Sequence, residues 1–310
     1  MSSGSPDTPH DGVRQLDIVF DIILAAVGMF IWDILINIPG DHKLLTKCRF
    51  RFPTAVYFFS RICCLAMLAC GLLLGNIAAD SSTKGNTFVN CQVTTEATKA
   101  LFFLATSSTT FLFLVRARAI YAHSGTGQAI LFLLWIVQVG TSTLDLFIVD
   151  GSSVPTQYQP LQRDLSQTKY YCILSNLRPE FAVISAVGIL FYDTAIFFAI
   201  SYRLTVINNA DSGGSIYEKT VSFFSGRKLL VLSRMILLDG QIYYLISFIL
   251  TALLLILLCV PSIGTAIRLI TVLPHAVLVN ALTCHVFRRV EFGCYQSREA
   301  FNSEQKFLQV

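Results

Sequence analysis

IYYLISFILTALLLILLCVP, residues 242–261, runs for twenty positions without one acidic or basic side chain. A helix rises about 1.5 Å per residue, so this run alone reaches across the roughly 30 Å of a bilayer's hydrocarbon core. Pro261 closes it, because proline cannot continue the hydrogen-bond ladder of a helix. The run ends a longer apolar segment near 230–260. Six further segments of similar character stand at 16–38, 53–79, 97–120, 128–149, 180–203 and 263–287. Pro53 suits the first turn of the second of these. One such run would fit the core of a large soluble protein; seven of them, separated by charged loops, do not. The expected fold is an all-α membrane protein, a seven-transmembrane helix bundle.

Composition agrees. Apolar residues make up 54% of the 310 and charged residues only 14%. A soluble domain spends about a quarter of its residues on charge to cover its surface. Here lipid is the expected partner of the outer face. The net charge of +4 is small and spread over loops, which argues against a nucleic-acid binder. Three regions follow: a polar, disordered tail at 1–15, the transmembrane domain at 16–289, and a cytoplasmic tail at 290–310. No basic stretch with a short apolar core and cleavage site precedes the first long run, so that helix is expected to direct its own insertion.

Orientation comes from Lys and Arg, which concentrate on the cytoplasmic side. With the N-terminus outside, fifteen of the 23 fall on inner loops and the tail, among them Lys43, Arg49, Arg116, Arg227, Arg288 and Arg289. Seven fall outside, and Arg61 lies within the second span. The C-terminus is then cytoplasmic, and the plasma membrane is the expected location. The outer connection 150–179 is long and without evident structure of its own. The inner connection 204–228 is polar and rich in Gly and Ser.

Of nine cysteines, only Cys91 and Cys172 fall in outer loops under this topology. Disulfides persist on that oxidising side. The expectation is a Cys91–Cys172 bond that pins the long loop to the top of the third helix; the alternative is two free thiols held apart.

Charges inside the spans are the sharper signal, since an ionisable group in hydrocarbon costs on the order of 2.5–3.5 kcal/mol unless partnered. The candidates are Asp33, Arg61, Asp193 and Asp239. Asp33 and Arg61 lie at about 8 and 12 Å from the inner ends of their helices, and Asp239 falls in the same inner half. The expected network has Arg61 as the central cation, bridged by Asp33 and Asp239. Tyr243, one turn beyond Asp239, places its hydroxyl within reach. Asp193 lies nearer the middle of the fifth span. The network either ties helices together or acts as a switch or ion path. Thr106–Thr110, a run of small polar residues, reads first as helix packing and second as ligand contact.

Other chemistries lose support. His275 and His285 are not set in a zinc-binding pattern, no nucleophile elbow or phosphate loop occurs, and the seventh helix has no lysine for a Schiff base. No catalytic residue, metal site or cofactor is expected, and the chain is not expected to be an enzyme.

Five strings in order, WDILINIPGDHKLL (32–45), YFFSR (57–61), LVRARAIY (114–121), DGQIYYL (239–245) and CHVFRRVEFG (284–293), resemble a large family of uncharacterised seven-helix membrane proteins of basidiomycete fungi. The resemblance spans nearly the whole chain and implies membrane location and a receptor-like topology, without a ligand or reaction. The layout is also similar to that of G-protein-coupled receptors, with departures. The third helix ends in Arg116-Ala-Arg-Ala-Ile-Tyr121 rather than Asp/Glu-Arg-Tyr. The seventh has Pro274 and Asn280 in place of Asn-Pro-x-x-Tyr, and the sixth lacks Cys-Trp-x-Pro. The expected function is therefore receptor-like: a small-molecule ligand outside, and a cytoplasmic signalling protein on the basic inner loops. The alternatives are a transporter or channel with a path lined by Arg61, Asp193 and Asp239, and a scaffold without ligand.

Overall fold

The computed structural model describes residues 9–46, 51–79, 91–121, 124–155, 170–210 and 231–308. Its helices are α1 (Pro9–Thr46), α2 (Phe52–Ala79), α3 (Cys91–Ile120), α4 (Gly125–Ser142), α5 (Pro179–Ala210), α6 (Val231–Cys259), α7 (Thr265–Ile270) and α8 (Val272–Leu308). Among the described residues, seven helical segments are long and apolar enough to cross a membrane, the last of them Ile267–Gly293. This is the architecture of a multi-pass membrane protein. The outward-facing surface fits it: Trp32 is 66% exposed and Phe198 64%. Side chains this large and apolar belong in lipid, not water.

Neighbours in sequence pack side by side, and α8 closes a ring by touching both α6 and α1. The third helix runs through the middle, against α2, α4, α5 and α8. Two large core clusters flank it. One joins Phe30, Met67, Leu68, Phe102 and Val277; the other joins Phe113, Leu114, Tyr192, Ile196 and Tyr244.

Several boundaries differ from those read in the sequence. The first helix does not stop at Ile38 but passes through Pro39 to Thr46, so Lys43 lies on a helix and not in a loop. Proline removes one backbone hydrogen bond, yet an apolar flank buried against neighbours can carry a helix past it. The third helix begins at Cys91, six residues early. The fourth gives way to a 3-10 turn, Thr143–Phe147, which seats Asp145 in the protein interior. Its start is capped by Ser124, whose hydroxyl accepts from the Gly127 amide at 3.3 Å. The seventh span is interrupted at Thr271, and α8 continues through the stretch expected as a tail to Leu308.

The connection expected to lack structure holds an antiparallel ribbon, β1 (Asp150–Pro155) and β2 (Tyr170–Ser175), with Ser153 opposite Cys172. Asn176 ends it with a positive φ of 52°, and its side chain donates to Asp150 Oδ2 at 3.1 Å. The ribbon presses so closely on α3 that a Cβ at Gly151 would overlap the Thr95 side chain.

A second glycine sets a helix contact. A Cβ at Gly188 on α5 would sit 2.9 Å from Thr141 Cβ on α4. The Thr141 hydroxyl is itself held by bonds to Gln138 O at 2.8 Å and Gln138 Oε1 at 3.0 Å, so it cannot turn away freely. Gly188→Ala is expected to destabilise the bundle by about 1–3 kcal/mol, the usual cost of overpacking. Adding Thr141→Gly should recover part of that loss. Denaturation in mixed detergent of the three variants checks it; a neutral Gly188→Ala would show that the two helices are free to part.

Candidate functional site

Among the described residues, two groups of buried polar side chains with separate partners stand out. The first joins α1, α2 and α8. Helical spacing puts Asp33, Asn37 and Asp41 on successive turns of α1, and Tyr57 one turn from Arg61 on α2. Arg61 forks between two carboxylates: Nη2 donates to Asp33 Oδ2 at 2.6 Å and Nη1 to Asp41 Oδ2 at 2.8 Å. This planar, two-pronged donor is what guanidinium supplies and an ammonium does not. Asn37 Nδ2 donates to Asp33 Oδ1 at 2.9 Å and steadies that carboxylate.

Tyr57 is the hub of the same centre. Its hydroxyl donates to Asp41 Oδ1 at 2.6 Å, and it accepts from Arg61 Nη1 at 2.7 Å and Arg288 Nη1 at 2.6 Å. Its ring stacks on Phe287, centroids 5.2 Å apart. The second arginine also reaches Asp41 Oδ1 at 3.5 Å. Two guanidinium groups thus face two carboxylates, so the centre is neutral in sum. Both arginines are buried. Paired ions of this kind are tolerable in a low-dielectric interior only when nearly all their hydrogen bonds are made.

The second centre lies between α3, the 3-10 turn, α5, α6 and α8, around a cavity of about 30 Å³. That volume holds a few waters and no drug-sized ligand. Asp145 accepts from Ser185 Oγ at 2.8 Å, and Asp193 from Ser247 Oγ at 2.9 Å. His275 Nε2 lies 3.1 Å from the Thr251 hydroxyl. Thr106, Thr109 and Thr110 of the small polar run line the same space, while Asn280 on α8 donates to Thr109 Oγ1 at 2.9 Å. The run is thus both a packing surface and a cavity wall.

The expected site residues divide between these places. Asp33 and Arg61 meet. Asp193 belongs to the other centre, bonded to Ser247 and not to Arg61. A single polar path lined by Arg61 and Asp193 is therefore not assembled by the described residues. Tyr243 packs its ring on His285, centroids 5.1 Å apart. The Asp239 side chain lies outside the described residues. Cys91 is disulfide-bonded, and its Sγ lies 3.6 Å from the Ser152 carbonyl of β1. The Cys172 side chain lies outside the described residues, although its backbone sits on β2 beside that strand.

Sequence reasoning missed Asp41, Tyr57 and Arg288. Asp41 follows Pro39-Gly40, which reads as a helix end, and Arg288 counts as an ordinary basic residue of the inner face. The available signal was the spacing: Asp33, Asn37 and Asp41 at every fourth position, and Tyr57 with Arg61 likewise. No protein-family profile matches the chain, and no curated protein matches it.

Proposed function

We propose that the chain is a receptor-like member of the seven-helix fungal membrane proteins it resembles, with its N-terminus outside and its C-terminus in the cytoplasm. In this reading a small ligand acts from the ribbon side, and the Arg61 centre near the cytoplasmic face holds the resting state. The plasma membrane is its place of work, and a cytoplasmic signalling protein meets the basic inner surface. One observation carries the proposal. The same helix, α8, contributes His275 to the cavity, ties Asn280 to Thr109 on the cavity wall, and supplies Arg288 to the ion centre. A change at either end therefore has a continuous element through which to bias the other, as a two-state switch requires. Separation of Arg61 from Asp193 disfavours the transport alternative.

Tyr57→Phe tests it gently. The substitution keeps the ring stacked on Phe287 and removes only the hydroxyl that joins both arginines to Asp41. In nanodiscs the variant is expected to bind a heterotrimeric G protein or an arrestin roughly tenfold more tightly than wild type, the worth of one charge-assisted hydrogen bond released from the resting state. If neither form recruits either partner, the receptor proposal fails. Ion flux across liposomes carrying the protein would favour transport in its place.

A further inference from the structure

The cavity between α3, the 3-10 turn, α5, α6 and α8 is lined by two buried carboxyl groups, Asp145 and Asp193. Asp193 is 2% exposed and receives one hydroxyl, from Ser247; its second oxygen, Oδ1, is buried with no hydrogen-bond partner among the described residues. The Thr106 hydroxyl oxygen, on the same cavity wall, is likewise buried without a described partner. Asp145 is 3% exposed and takes one bond, from Ser185. No lysine or arginine is among the described residues lining the cavity, and His275 is engaged with Thr251. A carboxylate this deep in hydrocarbon needs a cation or several donors to hold its charge.

We propose that this cavity binds a small monovalent metal cation of sodium's size at Asp193 Oδ1, with Asp145 as the collecting carboxylate nearer the ribbon end. The geometry selects among cations. Eight residues of α5 separate Ser185, which marks the level of Asp145, from Asp193, or about 12 Å along the helix. One ion therefore meets one carboxylate directly, together with hydroxyl oxygens such as Thr106 and with water. That donor set falls short of the six to eight oxygens, several of them carboxylate, that calcium takes. Transition metals want His and Cys, and no group of three His, Cys, Asp or Glu gathers among the described residues. An organic amine of ligand size exceeds the space of about 30 Å³.

The site stands independently of the receptor proposal and is tested without any ligand or partner. Full-length protein in detergent micelles is heated in sodium chloride or in choline chloride at equal pH and ionic strength. Binding to the folded state alone raises Tm with saturation. Sodium is expected to shift Tm upward saturably over choline. Asp193→Asn should lose that shift while keeping the Ser247 contact, and Asp145→Asn should need more sodium to reach it. Equal Tm in both salts, or a sodium shift that survives Asp193→Asn, overturns the site. Should the Asp193 variant not fold, radiolabelled sodium binding to wild type decides instead. Saturable binding displaced by cold sodium and not by choline supports the site; none overturns it and leaves Asp193 as a neutral, protonated acid.

Discussion

Arg61→Met is expected to be the most damaging single substitution in the bundle, costing about 3–5 kcal/mol. The methionine fills much of the same volume, so packing is not the main loss. What is lost is the only group that bridges Asp33 to Asp41 among the described residues, at 2.6 and 2.8 Å. Asp33 is left with Asn37, and Asp41 with Tyr57 and the longer reach of Arg288. Removing one partner of a buried pair strands a charge, whereas removing both at once can be nearly neutral. Arg61→Met with Asp33→Asn should therefore be more stable than Arg61→Met alone. Arg61→Lys should recover only part of the loss, because one ammonium cannot present two parallel prongs to two carboxylates. Unfolding in SDS mixtures, followed by tryptophan fluorescence, measures all of them. If Arg61→Met is as stable as wild type, the ion centre is not a structural tie.

Breaking the Cys91 disulfide comes next, at about 2–4 kcal/mol, the usual worth of a bridge that shortens the unfolded chain's reach. Cys91 opens α3 and lies beside β1, while β2 brings Cys172 opposite Ser153. A Cys91–Cys172 bridge would close a loop of some eighty residues, which the chain-entropy account places a little above that range, at about 4.5 kcal/mol. Cys91→Ser, Cys172→Ser and the double variant are expected to lower Tm equally, and a reducing agent should bring wild type to the same value. Peptide mapping without reduction should recover Cys91 joined to Cys172. A bridge from Cys91 to any other cysteine would break the pairing while leaving the measured stabilisation intact.

The spans were legible in the sequence because lipid imposes a length and a polarity that any reader of hydropathy can measure. Residues 242–261 needed no structure to be read as crossing a membrane. The ends were harder. Pro39-Gly40 is the ordinary signature of a helix stop, and α1 passes through it only because helices α2 and α8 give that turn something to pack on: Leu44 and Tyr57 share a buried cluster, and Gly40 abuts Arg288 and Phe292. Such tertiary support has no local signal. The Asp33–Arg61 contact could be reasoned from depth alone, since both charges had to find partners in the same layer. Asp41 and Arg288 could not, because both lie past the ends of the spans read from hydropathy, 16–38 and 263–287. Asp145 turns inward on a 3-10 turn that periodicity does not encode.

The continuity of α8 has a mechanical consequence. Asn280, tied to Thr109 on the central helix, divides it unequally. His275 lies about 7.5 Å to one side and Leu308 about 42 Å to the other, at 1.5 Å per residue. If α8 turns as a stiff rod about that point, it works as a lever with a short arm in the cavity and a long arm ending beyond the span. A sideways step of about 1 Å at His275 then becomes about 5–6 Å at Leu308, while Arg288, about 12 Å from the fulcrum, moves by less than 2 Å. Motion too slight to reshape the cavity would be large where the helix leaves the bundle.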